Sequence, residues 1–494
     1  VSAISSPVAG RAPSKWLILV IACLAQFMVV LDITIVNIAL PSVQRGLHFS
    51  AANLQWVVNG YTLVFGGFLL LGGRAADLLG RRRLFIAGVI LFSAASLLNG
   101  FAQSSGMLIV GRGLQGLGGA LVSPAALSIV TTTFGAGPER TRALAIWSAI
   151  AAGGSAVGLL MGGVLTDIAS WRWVFFVNVP VGVAAVVMAL RWIPESRAEV
   201  ARRSYDLGGA VTVTGGLIVL VYGIVKAQSY GWGSARSLTT FAIAVALLAA
   251  FVVIEGRVAQ PLMRLGVFRI RSLAVADGAL LFVSAGLFGM FFFASLYVQE
   301  VLGYSPLKAG LAFLPVTGGI ILGSGLGQAL ISRFGVRGVA ATGATIGGLG
   351  LLVLTRLPVH GHYASDLLTG LVPLSIGLGL AFVPLTLMAT SGVGTEDSGL
   401  ASGLFNVAQQ VGGSLGLAIL STLAASHTSS LVHAGTTTTG AIAARVSGYH
   451  VAFLVAAIML FAGSAFLAFF LRRSHLAQVE AEVRESGGAV PAAA

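Results

Sequence analysis

The chain has 494 residues, of which 56% are hydrophobic and only 9% charged. Soluble chains carry about 25% charged residues, so the composition excludes a water-soluble globular protein and places most of the sequence in lipid. The formal net charge of +13 does not point to nucleic acid: the basic residues stand in short segments between apolar runs, where they orient a membrane protein.

At about 20 apolar residues per crossing, the sequence predicts 14 transmembrane helices, over 16–40, 55–73, 84–101, 106–130, 144–166, 173–191, 207–226, 238–255, 272–300, 308–330, 339–357, 367–391, 399–424 and 448–471. Residues 1–15 carry two basic residues in a Pro/Ser/Gly-rich context, and the apolar run after them is longer than a signal-peptide core. They read as a cytoplasmic tail before an uncleaved span. Of the 29 basic residues, Arg45, Arg172, Lys226, Arg236, Lys308, Arg356 and Arg445 fall outside, and Arg112 lies within a span. The rest, about three times as many, fall inside, which puts both ends in the cytoplasm. Cys23 is the only cysteine, so no disulfide forms within the chain.

In chain order, the first informative stretch is LDITIVNIALP, residues 31–41, in the outer half of span one. An ionised Asp at the centre of a lipid-spanning helix costs roughly 2.5 to 3.5 kcal/mol, so Asp32 is expected to face a partner or a cavity. The loop after span two, GGRAADLLGRRR (72–83), combines glycines for a sharp turn, an acid able to accept hydrogen bonds, and an arginine run. Gly73, Asp77, Gly80, Arg81 and Arg82 are read as a cytoplasmic gate. Span four opens with LIVGRGLQGLGG (108–119). Counted from the outer surface, the depths of Arg112 and Asp32 differ by about 5 Å at 1.5 Å per residue, and two buried opposite charges at one depth are expected to be partners. In span five, Gly154, Gly158, Gly162 and Gly163 give a helix face suited to tight packing or sliding. The loop GQALISRFGVR (327–337) repeats the loop after span two, with Gly335 aligned to Gly80 and Ser332 standing where Asp77 does.

Together with WRWVFFVNVPVG (171–182), these stretches are similar to the major facilitator superfamily and, within it, to the fourteen-span drug:proton antiporters. The resemblance covers essentially the whole chain. It implies an all-α integral membrane protein: an amino-terminal six-helix bundle over 16–191, a linker over 192–206, two inserted helices over 207–255, a linker over 256–271, a carboxy-terminal six-helix bundle over 272–471, and a cytoplasmic tail over 472–494. It further implies alternating access by rocking of the bundles and export of amphipathic small molecules in exchange for protons, with Asp32 as the proton-linked acid and Arg112 as its regulator. A bacterial cytoplasmic membrane and a monomer are the corresponding expectations. Three positions depart from the pattern: Leu159 replaces the Pro of the span-five motif, Leu78 stands at a usually basic position, and span thirteen offers Asn406, Gln409 and Gln410 where some relatives carry acids. One proton per cycle is therefore expected. Asp277 is the reserve acid, its competing reading being an ordinary helix-end residue.

Enzyme signatures fail. The three lysines, Lys15, Lys226 and Lys308, follow Ser, Val and Leu, so there is no phosphate-binding loop, and uphill transport must draw on an ion gradient or a partner ATPase. With that resemblance the proton gradient is the expected energy source, and no cofactor is expected. Gly412-Gly413-Ser414-Leu415-Gly416 matches a nucleophile-elbow string but lies mid-helix. His360 and His362 are read as solvated loop residues rather than metal ligands, and they share the outer side with His48, His427, His433 and His450. Candidates for lining a substrate cavity are Gln26, Asn37, Asn59, Tyr61, Phe65, Phe291, Tyr297, Asn406 and Gln409, since aromatic and polar walls suit amphipathic ligands. Each of them could instead be bundle packing, and for any individual aromatic that is the favoured reading.

Overall fold

A computed structural model describes residues 14–135, 137–197, 206–258, 261–391, 393, 398–432 and 437–471. The expectations for most of the amino-terminal tail, for the middle of the 192–206 linker, for Ala259 and Gln260 of the 256–271 linker, for His433 and for the 472–494 tail fall outside those residues.

Thirteen helices among the described residues are long and apolar enough to cross a membrane. The one over Pro306–Leu354 has 49 residues, more than twice a crossing. It is broken at Gly335, whose φ of 73° and ψ of 157° lie outside the helical region. The chain thus makes the 14 crossings that its hydropathy predicts. These are α1 (Lys15–Leu47), α2 (Ala51–Leu79), α3 (Arg81–Gly100), α4 (Ser105–Thr133), α5 (Pro138–Ile168), α6 (Trp173–Trp192), α7 (Leu207–Tyr230), α8 (Ala235–Arg257), α9 (Arg271–Val301), α10 (306–334), α11 (336–354), α12 (Tyr363–Thr390), α13 (Gly399–Leu431) and α14 (Thr438–Phe470). Side chains of Ser, Thr and Asp accept from the first turns of several: Ser104 from the Met107 amide in α4, Asp206 from Gly209 in α7, Thr437 from Gly440 in α14. Such caps satisfy amides that the helix itself leaves bare. Large apolar side chains such as Ile168, Val245 and Phe469 stay exposed, as lipid-facing residues do.

Helices α1–α6 pack on one another as one bundle and α9–α14 as another. The bundles meet along two seams. In one, α2 lies against α13: the Thr62 and Ser414 hydroxyls are 2.5 Å apart, and Gly66 and Gly403 admit Gln410 and Leu70. Helix α7 packs on both α2 and α13, burying Leu217, Val221 and Val225 against Leu63 and Ala418, while α8 packs on the outside of α7. In the other seam, α5 meets the start of α10, where a Cβ on Gly163 would stand 2.7 Å from the Pro306 carbonyl oxygen and one on Gly310 would stand 2.6 Å from that of Leu159. Between the seams, α1 meets α9. Ser295 donates to the Asn37 carbonyl (2.8 Å), Gln299 donates to that of Ile38 (2.9 Å), and Ser305 of the α9–α10 connection donates to Asp167 (3.2 Å). All of these last contacts lie at the end that the basic residues assign to the outside.

The internal repeat has a backbone counterpart. Gly80, between α2 and α3, has φ 114° and ψ 130°, and its aligned residue Gly335, between α10 and α11, also has positive φ. This region is nearly closed to residues with a Cβ, at a cost of about 1–3 kcal/mol. Gly80 also faces the Glu195 carboxylate, which a Cβ would approach to 2.6 Å. Gly80→Ala and Gly335→Ala are each expected to lower stability by about 2 kcal/mol, with Gly80→Ala the worse of the two. Thermal unfolding of the purified variants in a single detergent measures this, and unchanged midpoints would contradict the turn geometry.

Candidate functional site

Asp32 is wholly buried, and five helices converge on it. From α4, Arg112 Nη1 donates to Asp32 Oδ2 at 2.5 Å and Gln115 Nε2 donates to Oδ1 at 2.6 Å; from α6, Asn178 Nδ2 donates to Oδ1 at 3.0 Å. Further hydrogen bonds extend the cluster. Arg112 Nε donates to the Val57 carbonyl of α2 (2.9 Å), Asn99 Nδ2 to Gln115 Oε1 (2.8 Å), and Gln115 and Asn178 both to Ser96 Oγ, which itself donates to the Phe175 carbonyl (2.8 Å). Tyr61 lies under the guanidinium, its ring centre 4.5 Å from Arg112 Cζ, and Phe65 stacks on Tyr61. Gly111, next to Arg112, leaves the space that Asn99 fills. The two residues whose depths match, Asp32 and Arg112, are therefore partners. Its neutral members, Gln115, Asn178, Ser96 and Asn99, were not singled out in the sequence, although Gln115 and Asn178 stand inside quoted motifs.

Chemically, the arrangement suits an ionised carboxylate. An ionised Asp only accepts, and here three donors occupy its two oxygens. Charge-assisted bonds of this kind are about twice as strong as neutral ones. A proton placed on Asp32 removes the charge on which the bonds from Arg112, Gln115 and Asn178 depend, and so weakens all three. Protonation is thereby tied to the packing of α1 against α4 and α6. About a turn and a half further along α1 stand Asn37 and Ile38, whose carbonyls hold α9 at the outer seam. One helix thus carries both the acid and the contact between bundles.

At the other end, Asp77, Arg81 and Arg82 are joined by hydrogen bonds to one another or to the segment after α6. Arg81 Nη2 donates to Asp77 Oδ1 at 3.0 Å, one turn apart, and the Arg81 amide donates to the Ser196 carbonyl. Arg82 donates through its amide to Glu195 Oε1 (3.2 Å) and through Nη1 to the Ile193 carbonyl (3.1 Å). A Cβ on Gly73 would make only ordinary contact, at 3.6 Å, with Pro124 of α4. Glu195, after α6, caps α3 and faces Gly80. It had no signal in the sequence, because its partners lie more than 100 positions earlier. Gly154, Gly158 and Gly162 seat α5 on α1, against Phe27 and Val30, Leu31 and Thr34, and Ile35 respectively; Gly163 turns instead to α10.

The proposed cavity residues are dispersed. Asn59, Tyr61 and Phe65 are buried inside the amino-terminal bundle, and Tyr297 is buried with its hydroxyl donating to the Pro358 carbonyl. Gln26, Asn37, Phe291 and Gln409 are half-buried, Asn37 donating to the Ile33 carbonyl of its own helix, and Asn406 is exposed. Asp277 sits in α9 of the carboxy-terminal bundle, outside the Asp32 cluster, 6% exposed and with neither carboxylate oxygen hydrogen-bonded.

Residues 22–417 match the family described as Major Facilitator Superfamily. The chain is 41% identical over 460 residues to the puromycin resistance protein pur8 of Streptomyces alboniger, covering 91% of this chain and 90% of that one. It is 42% identical over 414 residues to the cephamycin export protein CmcT of Amycolatopsis lactamdurans, covering 83% and 85%. It is 38% identical over 423 residues to the tetracenomycin C resistance and export protein of Streptomyces glaucescens, covering 85% and 78%. Among solved structures, a bacterial homolog to the human lysosomal transporter Spinster, in an inward-facing and unoccupied conformation, superposes with a TM-score of 0.65 at 16% identity, over 93% of this chain and 98% of that one. That likeness bears on the fold alone.

The buried pair has a stability signature. Arg112→Met strands an uncompensated carboxylate and is expected to cost about 3 kcal/mol or more, whereas adding Asp32→Asn removes the stranded charge and should recover most of the loss. Thermal unfolding of the single and double variants measures the coupling, and a double variant no more stable than Arg112→Met would contradict it.

Proposed function

The chain belongs to the major facilitator superfamily, and from that premise we propose that it is a proton-coupled antiporter exporting amphipathic drugs or antibiotics by alternating access. Two things support this reading: relatives of this similarity are named for puromycin resistance, cephamycin export and tetracenomycin C resistance and export, and a saturated Asp–Arg pair lies buried at membrane depth. The pair is the observation that carries it, because an intramembrane acid with switchable donors can link a proton to a conformational change. We place the protein in a bacterial cytoplasmic membrane, with both ends inside, and acting as a monomer.

The geometry supports the following cycle. With the cavity open to the outside, Asp32 takes a proton, which weakens the bonds from its donors and loosens α1, and substrate leaves. With the outer contacts of Asn37 and Ile38 closed, Asp32 gives its proton to the cytoplasm, and Arg112, Gln115 and Asn178 reclaim the carboxylate while substrate binds. One proton moving through about 100 mV supplies roughly 2.3 kcal/mol, enough for about a fiftyfold gradient of a neutral substrate at about 1.4 kcal/mol per factor of ten. A second reading, an exporter dedicated to one compound, is favoured by the single antibiotic that each of those relatives is named for.

Export of a panel of lipophilic cations and neutral antibiotics from pump-deficient bacteria tests both. The intact protein should lower accumulation, a protonophore should abolish that effect, and Asp32→Asn at equal membrane abundance should lose at least tenfold in export rate. Equal export by Asp32→Asn would reduce the pair to a structural role. Protection against a single member of the panel would select the dedicated exporter.

A further inference from the structure

Among the described residues, Asp277 is a buried acid of the carboxy-terminal bundle that the cycle above leaves without a task. It lies six residues into α9, about 9 Å from the helix start, and is 6% exposed. Leu281 and Ala285, one and two turns further along the same face, are the residues against which Gly412 and Gly416 of α13 close, each glycine Cα being so near that a Cβ would stand 2.5 Å from Leu281 Cα or Ala285 Cα. Asp277 therefore stands on the ridge that α9 presents to α13. The neighbouring Gly278 packs on Phe466 of α14. On another face, α13 meets α2 through Gly403 and Gln410, so the helix beside Asp277 is also a helix of the seam between bundles.

What distinguishes this carboxyl from Asp32 is its lack of partners. Asp32 is held by three donors, whereas neither Oδ1 nor Oδ2 of Asp277 is hydrogen-bonded. Among the described residues, the charged and titratable groups named next on the elements around it are exposed or bonded to other partners. Arg269 and Arg271, which precede it, are exposed. Glu300, at the opposite end of α9, accepts from Arg445 and Tyr449 of α14. His427 of α13 contacts Ser447, His450 of α14 contacts the Leu357 carbonyl, and Asp366 of α12 accepts from the His362 amide. Asp32 of α1 faces its own bundle. Arg337, at the start of α11, donates to the Ala468 carbonyl. A bare ionised carboxylate in such a place is unfavourable by several kcal/mol or more.

We propose that Asp277 is a second proton carrier of the transport cycle, taking a proton from outside while the cavity is open there, still holding it when the outer contacts have formed, and then releasing it to the cytoplasm. This rests on the antiport reading and changes its stoichiometry. Asp32 alone gives one proton per cycle; with Asp277 there are two. The added proton matters most for a monovalent cation. Exchanged for one proton it moves no net charge, and exchanged for two it is driven by membrane potential as well as by pH.

The test uses purified full-length protein in proteoliposomes, with tetraphenylphosphonium and puromycin as probes. With no pH difference, a potassium diffusion potential of about 100 mV, negative on the cytoplasmic side, should drive tetraphenylphosphonium to about a fiftyfold gradient. Asp277→Asn should lose that response while keeping transport driven by a pH difference, and Asp277→Glu should restore it. Transport of the probes that answers to pH but never to potential, or an Asp277→Asn variant that keeps the potential response, overturns the second proton and leaves antiport intact. Failure of the wild type to move either probe under either gradient overturns the antiport reading itself. Infrared spectroscopy is independent of transport: substrate-free protein at neutral pH should show the carbonyl stretch of a protonated carboxylic acid, and Asp277→Asn should remove it. Persistence of that band in the variant overturns the proposal.

Discussion

The structure depends on one buried ion pair. Asp32 and Arg112 are almost without solvent contact, at 0% and 2% exposure, and each is costly to place in lipid alone. The pair persists because polar partners surround it: Gln115 and Asn178 on the acid, the Val57 carbonyl and Gln115 on the guanidinium, and the Tyr61 ring beneath it. A half-satisfied cluster would be worse than an apolar core, so five helices of one bundle are fixed relative to one another by the need to complete it.

That requirement makes α1 the natural lever. Its inner face is set by the cluster, its outer end accepts bonds from α9, and α5 lies on it through a glycine face that lets backbones come close without locking side chains together. The opposite seam, α2 on α13, is backed by α7, which touches both bundles. The inserted pair thus rests on the joint between bundles, where it adds apolar surface without entering either bundle's core.

Much of this was legible in the chain. Fourteen crossings follow from run length, the α10–α11 break from an aligned glycine, and the Asp32–Arg112 pairing from counting residues below a surface. What escaped has physical reasons. Gln115, Asn178, Ser96 and Asn99 are neutral, and a neutral polar residue in a span is too cheap to stand out as a buried charge does. Glu195 acts on Gly80 and Arg82 across a separation that no periodicity bridges. Tyr61, Phe65 and Asn59 show the limit of composition: aromatic and amide side chains suit a ligand and a bundle core equally, and hydropathy does not say which face of a helix looks inward. The seating of α7 on α2 and α13 was likewise hidden, since run length gives a crossing but not its neighbours.

The measurement that bears most directly on coupling through Asp32 is the proton movement that accompanies transport. Proteoliposomes loaded with a pH-sensitive dye and given a transported substrate down its gradient should show protons moving in the opposite direction, and Asp32→Asn should abolish the proton signal. Substrate flux in the wild type with no accompanying proton movement would contradict antiport, whatever the stability of the pair.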